Sequence, residues 1–588
     1  MDDGPGLRMK THTPHLIAVL ALVCASGAHA AEIGFRYDNT GVFPPGAMPP
    51  TDFDGPSGRN LKWKAPLPNF GNASPIVVPV GTGARVLVLC DHGWPLGAGD
   101  TPVLLCHDAD SGKELWRRAI DPLDALPAAE AAPLRAARHS FWLHQHEVGR
   151  LHYRFHFEAR TPEEQERIRQ AAREHAPDLG HNKPVEKYFA EQSQNARIAW
   201  TAAMNRRDCE RLRRSGLLGV SSWNWTGIGQ AMCTPVSDGE AVYVVTGLRT
   251  VTKLDLDGRV LWHRFERDAE LTKFYECWLA NGLRLLSAPV DGKPRRLLVF
   301  ECYEHLWAYD CATGGVVWKT HTSSHGGHVC GTPQLLRLPY GKGEELLVVT
   351  RSGHVIRVRD GAALAENLFN VFYHGPLSDG RDRVWIKQVG GDGGHFHPLT
   401  GSVFDKKCVA GLRFRLNGGK LAYDRFFYDE QDLRRPIPDW LGFSRGDQLL
   451  TKNLAIADAA TGKLLAAGPR GFGSYNGTIL AGGHFYAVPE MTLVEGAPRG
   501  TRKGSPGVDV RMVCNVAKDG DPIRFVGTRT VEIIAADPKD PAERDQRMAL
   551  TGRVHPGEWY CWHAAYTAPF AYKNRLYIRS FDNLYCFG

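Results

Sequence analysis

The stretch VLLCHDADSGKELW, residues 103–116, decides the reading of this chain. An apolar run is followed by an aspartate, a Ser-Gly turn, and a tryptophan four residues after the glycine. The phrase returns as LWAYDCATGGVVW at 306–318, as VTKLDLDGRVLW at 251–262, and in decayed form as AIADAATGKLL at 455–465. It reads as a β-hairpin: Asp and Ser/Thr side chains bond backbone N–H groups in the turn, and Gly112, Gly258, Gly314 and Gly462 supply a positive φ. Trp116, Trp262 and Trp318 then open an outer strand, where a large aromatic can fill the wedge between stacked sheets.

Working outward, two further strand signals precede each phrase, as in ASPIVVPV followed by RVLVLC, or CTPVSDGEAVYVVTG. Four short strands per repeat of about 40–50 residues is the spacing of a β-propeller. Weaker copies lie at 331–360, 401–426, 477–489 and 508–536, and the chain closes with TAPFAYKNRLYIRSFDNLYCFG at 567–588. The expectation is an all-β, eight-bladed propeller, with seven blades the alternative. The last strand is expected to pair with the first repeat, which closes the ring and removes exposed edges. Residues 117 to about 215 lack the phrase. Thr161-Pro162-Glu163-Glu164 is a capping box with proline at the first helical position, and a second helix is expected from Pro184 to the Arg211–Arg214 cluster. The stretch from His139 to Phe157 is compatible with helix or strand. This helical insertion follows the first blade and is a candidate lid.

The amino terminus reads as a secretory signal over residues 1–30. Arg8 and Lys10 precede an apolar run from Leu16 to Val23, and Ala28-His29-Ala30 fits the small-x-small cleavage rule. The run is too short to span a bilayer, which takes about twenty residues, so no transmembrane segment is expected. Lipid attachment at Cys24 would want a small residue before it, and Val23 is not one. The expected product is a single domain over 31–588, exported to the periplasm or the extracellular space. The net charge of +7 is spread without a long basic run, which argues against nucleic acid as the partner. None of the thirteen cysteines forms CxxC, CxxCH or an adjacent pair, which excludes covalent haem and a thioredoxin-like centre. Cys90, Cys106, Cys302 and Cys586 sit in apolar runs and read as small buried hydrophobes.

The Asp-x-x-Thr-Gly-x-x-x-Trp phrase with its preceding (S/T)-P-V strand resembles the pyrroloquinoline-quinone-like repeats of the quinoprotein alcohol dehydrogenase-like propeller family. The resemblance covers most of 57–116 and 220–588. It implies either a quinone-dependent dehydrogenase or a cofactor-free envelope propeller. The dehydrogenases would need a stacked quinone, a calcium held by carboxylate and amide oxygens, and an aspartate base. The chain lacks the adjacent-cysteine and haem features that the resemblance would add, so it is most similar to the exported propellers without them, and pyrroloquinoline quinone is not the expected cofactor.

In such a ring the segments leading into the innermost strands crowd one mouth. These lead-ins are rich in His, Trp, Asn and Gly. Trp225, Gln230, Tyr475, Asn476, Trp562 and His563 are candidate ligand-binding residues, an aromatic platform with polar groups beside it. The same aromatics also suit wedges between blades. His325, His328, His395 and His397 could hold Cu or Zn, or bond loop carbonyls at a polar mouth. Two functions follow from different classes: a binding or scaffold propeller whose funnel face takes a protein or glycan, and an envelope oxidoreductase dependent on quinone or metal.

Overall fold

A computed structural model describes residues 32–55, 57–68, 73–90, 101–153, 159, 161–175, 211–212, 214–215, 217, 233–246, 250–266, 281–302, 305–322, 332–371, 375–388, 404, 406–433, 436–437, 442–451, 455–468, 478–487, 509–516, 525–534, 567–579 and 583–588. For 141–153, 172–175, 281, 302, 487, 509–516 and 525–534 it describes the backbone alone. Strand dominates. Among the described residues there are eight four-stranded antiparallel sheets, seven of them formed by four strands consecutive along the chain. The first sheet contains Ile76–Val80, Gly83–Cys90, Val103–Asp108 and Glu114–Ala119. The eighth is assembled from both ends of the sequence. Phe570–Tyr572, Arg575–Arg579 and Asn583–Phe587 are completed by Leu61–Pro66, with Trp63 opposite Cys586. The carboxy-terminal strand therefore does pair near the amino terminus, though with LKWKAP, which precedes the first sheet and belongs to the eighth.

Two unit boundaries differ from the sequence reading. The copy at 401–426 is the outer half of a fifth sheet that begins at Leu377–Ser378 and Arg383–Gln388 and ends with Cys408–Asn417 and Lys420–Asp429. The copies at 477–489 and 508–536 are two halves of one seventh sheet. Long connections between second and third strands hid both, because a repeat search expects constant spacing.

The recurrent phrase works between sheets as well as within one. Asp108 Oδ1 accepts from Ser111 N and Oγ at 2.8 and 2.6 Å, Asp458 Oδ1 likewise from Thr461 N and Oγ1, and Asp310 Oδ1 from Ala312 N and Thr313 N. Each tryptophan then docks on the turn of the next sheet. Trp63 Nε1 donates to Ala109 O, Trp116 to Leu256 O, Trp262 to Cys311 O and Trp318 to Val358 O, at 2.8–3.1 Å. The indole lies on the turn glycine so closely that a Cβ on Gly314 would stand 2.6 Å from Trp262. Glycine is needed there for this contact and for its φ of +67°. The Ser or Thr of the (S/T)-P pairs ahead of the first, second and fourth sheets forms a second set of ties: Ala568 N donates to Ser74 Oγ, Ser74 N to Thr234 Oγ1 and Gly282 N to Thr332 Oγ1.

Among the described residues, α1 over Ala128–Tyr153 and α2 over Pro162–His175 follow the first sheet, and 211–212 and 214 are also helical; α1 resolves the His139–Phe157 ambiguity as helix to Tyr153. The capping box forms, with Glu164 N donating to Thr161 Oγ1 and Thr161 N to Glu164 Oε2. Arg138 of α1 is buried and pairs with Asp121 at 2.8 Å. Leu123, Leu134 and Ala137 pack with Leu212 and Leu217, and Phe265 of the second sheet lies against them. No helix among the described residues is long and apolar enough to cross a membrane. Cys90, Cys106 and Cys586 are buried inside strands, as small hydrophobes are.

Candidate functional site: an occupied channel and a face of long connections

Within each sheet the first strand lies at one edge and the fourth strand, which carries the tryptophan in the first, second, third and eighth sheets, at the other. The first strands of the second, third, sixth, seventh and eighth sheets all touch one segment, residues 32–48, which fills the space they surround. Over 32–34 it runs against the second sheet, with Ile33 N to Ser237 O at 2.9 Å and Ser237 N to Ile33 O at 2.8 Å. It turns back over 35–40. It then follows the seventh sheet, with Leu480 N donating to Gly41 O and Phe43 N to Leu480 O, and reaches the eighth, where Met48 N donates to Lys573 O.

The turn is unusual chemistry for a chain interior. Arg36, Tyr37 and Asn39 have φ of 51°, 71° and 69°, a left-handed region that costs non-glycine residues about 1 kcal/mol or more. Arg36 is 1% exposed. Its Nε donates to Thr478 O at 2.9 Å, its Nη2 to Gly442 O at 3.2 Å, and its guanidinium lies 4.6 Å from the centroid of Phe443. Glu32 pairs with Arg284 at 3.2 Å, both nearly buried. Burial pushes the Glu32 carboxyl up to about 7 against the opposing pull of Arg284. Beside this segment, toward the third to fifth sheets, lies a cavity of about 630 Å³ lined by Thr40, Val42, Arg284, Ser287, Arg337 and Ser378 among others.

The sheets have two unlike faces. Connections from first to second strand are tight turns such as 81–82, 341–342 and 482–483. Connections from second to third strand, and from each fourth strand to the next sheet, leave from the opposite face and include all the long segments. Every candidate residue from the sequence falls in these: Trp225 and Gln230, His325 and His328, His395 and His397, Tyr475 and Asn476, Trp562 and His563. All ten lie outside the described residues. His395 and His397 do not lead into a first strand as expected; they lie between Gln388 and Cys408, the second and third strands of the fifth sheet. Because antiparallel strands alternate direction, that connection still leaves from the same face as the others. Among the described residues no three His, Cys, Asp or Glu side chains are grouped to hold a metal.

Sequence reasoning missed the channel segment altogether. Its only signal was EIGFRYDNTGVF, an Arg-aromatic run with Gly and Asn at turn positions, lying ahead of the first repeat.

No family model and no curated protein matches the chain. Among solved structures it is similar to BamB from Moraxella catarrhalis, at 12% identity over 60% of this chain and 82% of that one, with a TM-score of 0.32. It is also similar to the quinohemoprotein alcohol dehydrogenase from Comamonas testosteroni, at 15% identity and a TM-score of 0.26. That match covers 70% of this chain and spans 55% of the dehydrogenase. A third similarity is to the WD40 domain of SCAP from fission yeast, at 9% identity over 60% of this chain and 70% of that domain, with a TM-score of 0.19. These likenesses are distant, and the architecture rests on the strand pairing and sheet-to-sheet contacts above.

Proposed function

We propose that the chain is an exported, eight-bladed propeller over 31–588, with a helical insertion at about 117–215, that binds a protein or glycan on its face of long connections. Its eight sheets are the blades and Leu61–Pro66 is the strand that closes the ring. The observation that carries the binding reading is the channel segment. A quinone-dependent dehydrogenase of the resembling family would stack its cofactor in the channel. Here Phe35, Arg36 and Phe43 of the chain itself are buried among the first strands. Trp225, Gln230, Tyr475, Asn476, Trp562 and His563 are proposed as the ligand-contacting residues, since their segments depart from one face.

The test has two arms on the purified full chain. Incubation with pyrroloquinoline quinone and Ca²⁺ is expected to produce neither dye reduction with alcohols or sugars nor a shift in Tm. Binding on a glycan array, or to an envelope protein fraction, is expected to weaken about tenfold or more in Trp225→Ala and Trp562→Ala, with Tm unchanged. Quinone-dependent turnover would replace this reading with the oxidoreductase.

A second reading, Cu or Zn held by His325, His328, His395 and His397, is kept because both segments leave from that same face. It predicts a Tm rise with the metal that disappears below about pH 6.5, where imidazole is protonated.

A further inference from the structure

The channel segment has the marks of a ligand rather than of a strand in a sheet. It belongs to none of the eight sheets, and it meets the first strands by isolated backbone bridges at Ser237 and Leu480. Two charged side chains anchor it: Glu32 pairs with Arg284, and Arg36 donates to the backbone carbonyls of Gly442 and Thr478 just ahead of two first strands and to Thr40 O of the segment itself. Phe443 receives the guanidinium face. Gly41 is required where the segment turns down: its φ is +80°, and a Cβ there would stand 2.6 Å from Phe443 and closer still to Arg36. Three non-glycine residues hold left-handed φ values in this turn, which is closed by Asn39 N donating to Phe35 O and Gly41 N to Arg36 O. Beyond it, Pro44, Pro45 and Gly46 are exposed.

We propose that the axial channel is a peptide-binding site, filled here by the chain's own residues 32–46, that recognises an arginine presented on a tight turn between two β-pairing arms. Backbone pairing gives such a site its affinity for extended arms. The guanidinium pocket of Phe443, Gly442 and Thr478 gives it sequence preference. The partner class is an Arg-aromatic turn peptide, presented by a segment that competes with 32–46 for the channel. This site is separate from the face of long connections and does not depend on what binds there.

The experiment keeps the whole protein. A protease site inserted beside exposed Gly46 allows the folded chain to be cut, leaving Leu61–Pro66 in the eighth sheet. A fluorescent peptide with the sequence of residues 32–46 is then added in excess. The expected result is replacement of the cut segment below the melting temperature, with a peptide carrying Arg36→Ala binding at least about a hundredfold more weakly. Release only on global unfolding, or equal binding of the Arg36→Ala peptide, overturns the proposal. Should cutting destabilise the chain, hydrogen exchange on the intact protein serves instead. The amides of Ile33 and Phe43 are expected to exchange at least about tenfold faster than those of Val242 and Val299. Equal rates would mean that the segment opens only with the sheets, and the site is then purely structural.

Discussion

Two groups of sheets, two halves of the molecule, are held together by different means. From the eighth sheet through the first to the fourth, every seam carries a tryptophan docked on a glycine turn: Trp63, Trp116, Trp262 and Trp318. Beyond the fourth sheet the device decays. Trp385, on the second strand of the fifth sheet, reaches Ala459 O at 2.9 Å, while Phe427 and Ile437 cover Gly462 where an indole would lie. Between the fourth and fifth sheets, Ser378 Oγ donates to Leu335 O and Arg337 N to Arg381 O. From the sixth to the eighth, the amino-terminal segment makes the ties: Arg36 joins Gly442 to Thr478, Phe43 packs edge-on against Phe570 at 5.0 Å, and Tyr486 donates to Pro49 O. A repeated wedge can thus be lost where another part of the chain covers the same seams.

The largest expected effect comes from breaking the one sheet that both halves share. Truncation after Arg579 removes Asn583–Phe587, the strand that joins Leu61–Pro66 to the rest of the eighth sheet, and exposes two edges. The truncated chain is expected to aggregate or lose its cooperative unfolding transition, followed by circular dichroism and sedimentation. A transition at the unaltered temperature would remove that sheet from its closing role.

Next come single side chains, one from each half. Trp262→Ala empties a buried wedge and is expected to cost about 3–5 kcal/mol by urea denaturation. Arg36→Ala leaves the carbonyls of Gly442 and Thr478 without their donor and is expected to cost about 2–4 kcal/mol. Leu465→Ala, on the sixth sheet's outer strand and 55% exposed, is expected to stay within about 0.5 kcal/mol. Because the first two sites share no partner, their double variant should be additive; strong coupling would mean that the halves are not held independently. Between that control and the two large losses stands Gly314→Ala, expected to cost about 1–3 kcal/mol through its φ of +67° and the indole it would strike.

The last expected effect is a pH slope set by two buried carboxyls. Burial raises Glu32 in the channel and Glu301 near the third-to-fourth seam to about 7 each, opposed by Arg284 and Arg351 respectively. The folded chain therefore binds protons more tightly than the unfolded chain. The stabilisation linked to those protons is present below about pH 4.5 and is lost as pH rises through about 7. Glu32→Gln and Glu301→Gln should each flatten the fall in unfolding free energy, measured by urea titration, between pH 5 and 8 by up to about 3 kcal/mol per site. An unchanged slope in both variants would show that neither carboxyl carries this linkage.

What could be read from residues alone was whatever repeats locally. The Asp–Ser/Thr–Gly turn, the strand that precedes it and the tryptophan four residues later are bonded within one hairpin, so their spacing survives in sequence. The capping box at Thr161–Glu164 is legible for the same reason. Tertiary structure alone decided the rest. The turn glycines receive an indole from a neighbouring sheet, and nothing within the hairpin records this. The fifth and seventh sheets are interrupted by long connections that strand pairing, not spacing, bridges. Arg36 is 442 residues from Thr478 and 406 from Gly442, so only closure of the chain on itself could bring a lone arginine to those carbonyls.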